Sequence, residues 1–373
     1  MNAAQQLHDL GQSLWLDNIT RTLLTSGTLA RYIGQLAVTG LTSNPTIFEQ
    51  ALKGSDAYDA AIGQKANQGM LAEELFFELA LDDLTRAADL FRPVHEATDG
   101  VDGWVSLEVS PLLAEDTSAT IRAAARLHAR ARRPNVFIKI PGLQTGLRAI
   151  EESIFAGVPV NVTLLFSSRQ YGAAAEAYMR GIERRIAAGL DANVASVASL
   201  FVSRWDVAVN HLVPEARRNR LGIAIATRTH AAYRSLLASE RWLKLAHAGA
   251  QPQRLLWAST GTKDPGAADT LYVEALAAPD TINTIPEKTL LAFADHGVLK
   301  TVLPIDSGHA EATIAEFTRA GIDDEALAAR LQREGTGAFI ESWRRLLCLI
   351  VAKGALPADR TREISEIPET PGT

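Results

Sequence analysis

Lys139 sits in the run NVFIKIP (135–141), where an apolar strand carries a single charge. Side chains in an extended strand alternate between two faces. Val136, Ile138 and Ile140 therefore share one face, and Phe137 and Lys139 share the other. The run 104–110 sets Val105, Leu107 and Val109 against Ser106, Glu108 and Ser110. The run 159–166 sets Val160, Val162 and Leu164 against Asn161 and Thr163, and in 14–19 Asp17 shares a face with Trp15. Charges withdrawn from water destabilise a fold unless they are paired or used. An internal ion pair of Lys139 with Glu108 or Asp17 would meet that condition. The set also supports chemistry. A lysine withdrawn from water is a weaker base, and its neutral amine can attack a ketone to form a Schiff base. The iminium stabilises an adjacent carbanion. A nearby carboxylate can take a hydroxyl proton while another moves protons through water as the imine forms and hydrolyses.

These residues must be brought together by their strands. Short apolar segments at 14–19, 38–44, 104–110, 135–141, 159–166, 197–202, 255–260 and 281–285 read as strands. Helical periodicity fills the intervals, as at 71–90, 117–132, 168–187 and 217–237. Such alternation predicts a parallel sheet with helices outside, and eight units favour an α/β fold of the (β/α)8 barrel type. An open doubly wound sheet satisfies the same periodicity. The segment after Asp295 adds C-terminal helices, among them an apolar one over 337–353 that should pack back on the body. The expected organisation is one barrel domain over residues 1–356. The tail, 357–373, is rich in Pro, Thr, Glu and Arg and is expected to be poorly ordered.

The composition, 47% hydrophobic and 21% charged, is that of a globular chain, and a net charge of −6 argues against a general nucleic-acid binder. A few local cations would still hold an anionic small molecule. The single cysteine, Cys348, excludes an internal disulfide framework, and its apolar run LLCLIV predicts a buried position. The eight histidines form no HExxH pair and no Cys/His cluster, so no metal or other cofactor is called for. The N-terminal residues lack a basic, then apolar, signal pattern, and no apolar run is long enough for a membrane span. A reducing, cytoplasmic setting is the expectation, with no membrane partner. The oligomeric state, monomer or homodimer, is open.

The segments LTSNPTIFEQA (41–51), SLEVSP (106–111), FIKIPG (137–142), GVPVNVTLLFS (157–167) and SLFVSRWD (199–206), in this order, resemble transaldolases, and NTIPEKTL (283–290) extends the likeness. Chain length and the later motifs are similar to the longer bacterial branch of that family. The resemblance implies a (β/α)8 barrel that moves a dihydroxyacetone unit from sedoheptulose 7-phosphate to glyceraldehyde 3-phosphate. Erythrose 4-phosphate and fructose 6-phosphate would be the products, in the pentose phosphate pathway. It further implies Lys139 as the Schiff-base lysine and Asp17 as the acid/base at the broken bond. Glu108 and Thr163 would position the catalytic water. Asn44 and Asn161 would hold the dihydroxyacetone hydroxyls. Ser199, Phe201 and Arg204 would form the wall and phosphate contacts.

After the seventh strand, transaldolases of the commoner type carry an arginine shortly after an Ala-Ser pair. Here the sequence reads WASTGTKDP (257–265), so Ser259 matches and the cation is Lys263, which can hold phosphate as a point charge. Arg204 has the opposite parity from Ser199 and Phe201, so it reaches the site only if the strand has ended or bulged by then. Asn44-Pro45 also reads as a helix-entry signal, with Ser43 or Asn44 as cap. Trp15, Trp104 and Trp257 read as barrel packing. Gly261-Thr262-Lys263 is too short for a P-loop, and Gly335-Thr336-Gly337 follows a helix, which disfavours a dinucleotide site. Two other functions fit the same barrel: a fructose 6-phosphate lyase, whose known members are shorter chains, and a non-catalytic sugar-phosphate-binding barrel.

Overall fold

A computed structural model describes residues 2–355. The eight expected strands form: β1 Ser13–Leu16, β2 Val38–Thr42, β3 Val105–Glu108, β4 Val136–Pro141, β5 Val160–Leu165, β6 Ser196–Phe201, β7 Arg254–Ala258 and β8 Ile282–Ile285. Each pairs in parallel with the next, and β1 pairs with β8, so the sheet closes as a (β/α)8 barrel rather than an open sheet. The tail expected at 357–373 lies outside the described residues.

Alternation divides the barrel into two layers. Val136, Ile138, Ile140, Val160 and Val162 face outward and pack under the helices, as does Trp257. Trp15, Phe137, Val197, Leu256 and Ile282 face inward. Phe137 stacks on Trp104 at 4.1 Å between centroids and leans on Trp15 at 6.1 Å, forming an aromatic floor. Trp15 also donates its indole N–H to Asp102 at 2.7 Å. Gly40 leaves room for that ring, since a Cβ there would lie 2.6 Å from Trp15 Nε1.

Strict alternation fails in β2, where the pairing with β1 shifts register between Leu14 and Trp15, and again in β5. Leu164 has a φ of 60°, and the pairing of β5 with β6 shifts register between Val162 and Leu165. This bulge turns Leu164 away from Val160 and Val162 and into the inner cluster with Phe166 and Phe201. A bulky residue at positive φ is strained, and such strain gathers at functional sites.

The C-terminal part folds as the helices Gly308–Arg319 and Asp324–Gly354. The second starts earlier than the apolar pattern indicates, because Asp323 caps it by accepting from the Ala326 N–H at 2.9 Å. Its stripe of Phe339, Trp343, Leu346 and Ile350 is buried, and Trp343 meets Phe76 edge-on at 4.8 Å. Cys348 lies off that stripe and is exposed, contrary to the buried position that its apolar neighbours predict.

Candidate active site

The polar inward positions converge at the C-terminal ends of the strands, where barrels of this kind bind ligands. Lys139 stands opposite Glu108 on one side and opposite Asn161 on the other. Its Nζ lies 3.7 Å from Glu108 Oε2 and donates to the carbonyl of Ser43 at 3.0 Å. Both side chains are buried. Burial pushes the Glu108 carboxyl up to about 7, against the opposing pull of the Lys139 ammonium, with the Asp17 charge adding to the rise. Neither Glu108 oxygen has a hydrogen-bond partner among the described residues, and neither has the buried Thr163 hydroxyl. Buried polar groups are normally bonded, so these atoms are available to water or a reactant.

Asp17 follows β1 by one residue and extends its ladder, donating its N–H to Ile285 O at 2.8 Å. Its Oδ1 accepts from the Thr42 hydroxyl at 2.8 Å, and Thr42 in turn meets the Thr284 hydroxyl at 2.6 Å. With Thr42 donating to the carboxylate, Thr284 must donate to Thr42. Burial raises the Asp17 carboxyl above its ordinary range, while Lys139, Thr42 and Lys263 pull it back.

Asn161 uses one N–H and one lone pair within the protein: its amide donates to Ser106 Oγ at 3.1 Å, and its carbonyl accepts from Ser199 Oγ at 2.7 Å. Asn44 acts as the helix cap that the sequence allows, accepting from the Ile47 N–H at 3.0 Å, and it also faces the cavity. The capping and site readings of Asn44 thus both describe the same side chain.

A cavity of about 310 Å³ opens above these residues, a volume within the small-molecule range. Asp17, Asn44, Lys139, Thr163, Ser199, Phe201, Arg204, Ser259 and Lys263 line it. Glu108 and Asn161 do not line it; they flank Lys139 along the neighbouring strands. β6 ends at Phe201 and the helix Ser203–Val209 follows, which removes the parity conflict and turns Arg204 to the rim. The Arg204 guanidinium sits 5.3 Å from the centroid of the Phe201 ring. Burial lowers its pKa and Glu334 opposes the shift, but an arginine stays charged. Lys263 stands exposed on the loop after β7. Ser259 has a φ of 56°, and its hydroxyl meets that of Ser203 at 2.9 Å.

Sequence reasoning missed Thr42, Thr284, Ser43, Gln332 and Phe339. Thr42, Ser43 and Thr284 belong to segments already noted, LTSNPT and NTIPEKTL, and their place beside Asn44 and at the end of β8 was the available signal. Gln332 and Phe339 come from the far helix Asp324–Gly354, which no local pattern ties to the barrel mouth.

Comparison with known proteins adds a separate line. The family model described as Transaldolase/Fructose-6-phosphate aldolase matches residues 14–350. A protein named transaldolase from Thermobifida fusca (strain YX) is 46% identical over 356 residues, covering 92% of this chain and 96% of the relative. The transaldolase of Arthrobacter sp. (strain FB24) is 43% identical, covering 95% and 98%. That of Neisseria gonorrhoeae (strain ATCC 700825 / FA 1090) is 41% identical, covering 94% and 100%. With a closed barrel, a lysine–carboxylate pair at its mouth and likeness of this extent, the chain belongs to the transaldolase/fructose-6-phosphate aldolase family.

Proposed function

We propose that this chain is a transaldolase that carries dihydroxyacetone on Lys139 as a Schiff base. The observation that carries the mechanism is the buried pairing of Lys139 with Glu108 beneath a cavity rimmed by Arg204. The relatives' names support the transferase, as do the match of the family model and the coverage of the chain.

The steps follow from the positions. The ketone carbon of sedoheptulose 7-phosphate is attacked by Lys139 Nζ, giving a carbinolamine. Glu108, with a pKa near neutrality, donates a proton as water leaves, and the iminium forms. Asp17 removes the proton of the hydroxyl on the far carbon of the bond that breaks. The electrons of that O–H bond form the aldehyde carbonyl, the pair of the broken C–C bond passes to the iminium, erythrose 4-phosphate leaves, and an enamine stays on Lys139. Glyceraldehyde 3-phosphate then accepts the carbon nucleophile, and Asp17 returns its proton. Water, activated by Glu108 and held by Thr163, hydrolyses the new imine to release fructose 6-phosphate. Asn44 and Asn161 hold the dihydroxyacetone hydroxyls, Ser199 and Phe201 form the wall, and Arg204 holds the phosphate with Ser259 and Lys263 beside it.

The same reading treats residues 1–356 as one barrel domain with added helices, supported by the packing of Asp324–Gly354 against the body. It places the enzyme in the cytoplasm, where phosphorylated sugars are found. Among the described residues, no helix is long and apolar enough to cross a membrane. The test of transfer against lysis is direct. With fructose 6-phosphate as donor and erythrose 4-phosphate as acceptor, sedoheptulose 7-phosphate should form and free dihydroxyacetone should stay minor. A product that is mostly free dihydroxyacetone would make the protein a lyase.

A further inference from the structure

Arg204 is held at the cavity rim without an ion pair or hydrogen bond to another described residue. Packing places it, and the Glu334 carboxylate on the same helix acts on its charge from a distance. On one side is the Phe201 ring, 5.3 Å from the guanidinium carbon to the ring centroid. On another is the backbone of the helix Asp324–Gly354 at Gly335. A methyl group at Gly335 would stand 3.2 Å from Arg204 Nη1 and 3.0 Å from Leu164 Cδ2. Both contacts are tighter than most Cβ contacts, so Leu164 and Arg204 would each have to give by a few tenths of an ångström. Glycine costs stability in a helix interior. Gly337 of the same helix has open space where a Cβ would stand, whereas Gly335 is where Leu164 and Arg204 come close.

The same helix is fastened to the strands one turn earlier. Gln332 Nε2 donates to Leu164 O at 2.9 Å and to Gly142 O at 3.1 Å. The first carbonyl belongs to the bulge that follows Thr163, and the second lies just past the end of β4, the strand of Lys139. One turn beyond Gly335, Phe339 lines the cavity. The helix is thus locked at Gln332, open at Gly335 and in the site at Phe339.

We propose that Gly335 is a positioning residue for Arg204, with Gln332 fixing the helix that presents it. The helix Asp324–Gly354 thereby sets the preference for phosphorylated over unphosphorylated sugars. The inference rests on the reading of Arg204 as phosphate anchor. A larger side chain at position 335 displaces the guanidinium, weakening capture of phosphate while leaving Lys139 and its partners in place.

The test compares Gly335→Ala, Gly335→Val and Arg204→Ala in the full chain. Two quantities are measured: the KM and kcat for fructose 6-phosphate, and the rate of borohydride inactivation with dihydroxyacetone, which carries no phosphate. Losing a charge-assisted phosphate contact predicts a KM rise of about tenfold for Gly335→Val and a smaller one for Gly335→Ala. The kcat and the inactivation by dihydroxyacetone should stay near wild type. An unchanged KM in Gly335→Val, or an equal loss of both readouts in the two Gly335 variants, overturns the proposal. Arg204→Ala separates the causes. If it leaves the KM unchanged, the phosphate reading of Arg204 falls and this inference falls with it. If it raises the KM and Gly335→Val does not, only this inference falls.

Discussion

Glu108 and Lys139 face each other in register on adjacent strands, with Oε2 3.7 Å from Nζ and both side chains nearly closed to solvent. The separation is too long for a hydrogen bond and short enough for strong coupling. Burial holds the Glu108 carboxyl up to about 7, so it gains and loses a proton near neutral pH. Acid and base steps of imine formation and hydrolysis are then both open to it. The rate should show an inflection near pH 7. Glu108→Gln should abolish that inflection and lower kcat by about a hundredfold. A variant that keeps the inflection would assign it to another group. The sign for stability is also fixed: the folded-state value exceeds that of a free glutamate, so ionisation of Glu108 opposes folding increasingly as pH rises from the ordinary 4.5 to about 7.

Thr42 donates to Asp17 at 2.8 Å, which favours the ionised carboxylate. Removing that donor raises the Asp17 pKa further. In Thr42→Val the acid limb of the rate profile should therefore move to higher pH, with kcat reduced about tenfold at pH 7. Thr284→Val, which leaves the Thr42 donor in place, should shift the limb less. Full pH profiles of both variants decide the matter, and an unshifted limb in Thr42→Val would remove Thr42 from the account.

Arg204 is half-buried and Lys263 is exposed, so the two cations differ in worth. Solvent and salt screen an exposed charge. Arg204→Ala should raise the KM for fructose 6-phosphate by about ten- to a hundredfold, and Lys263→Ala by only about two- to fivefold. The Lys263 effect should fade at high salt while the Arg204 effect persists. Steady-state kinetics at two ionic strengths give the comparison, and the opposite ranking would make Lys263 the principal anchor.

Asp206 lies two residues beyond Arg204 but serves the fold. Its carboxylate accepts from the N–H groups of Leu221 and Gly222 and from the Tyr272 hydroxyl at 2.8 Å. Asp206→Ala strands these donors and should destabilise the protein by about 3 kcal/mol. Denaturant unfolding measures that loss, and borohydride labelling of the folded fraction should be unchanged.

Much of this was legible in the sequence because strands carry a period of two. That period sorts Lys139, Glu108, Asp17, Asn161 and Thr163 from their apolar neighbours, and closure of the sheet brings those inward positions to one mouth. It failed at Leu164, where a backbone at positive φ resets the parity, and was silent at Arg204, which belongs to a helix starting just after β6. Cys348 misled because its immediate neighbours are apolar, whereas burial in a helix follows the stripe of Trp343, Leu346 and Ile350. Gln332 and Gly335 were illegible for another reason: they meet the barrel through tertiary packing that no local pattern marks, and Phe339, in the apolar helix expected to pack on the body, gave no sign that it would line the cavity.

The central claim is the covalent bond to Lys139, and trapping tests it most directly. The protein is incubated with fructose 6-phosphate, reduced with borohydride and digested, and the modified peptide is mapped by mass. The account predicts loss of activity and a single adduct on Lys139, absent in Lys139→Ala. Failure to trap an adduct, or its location on Lys53, Lys244, Lys263 or any other lysine, would contradict it.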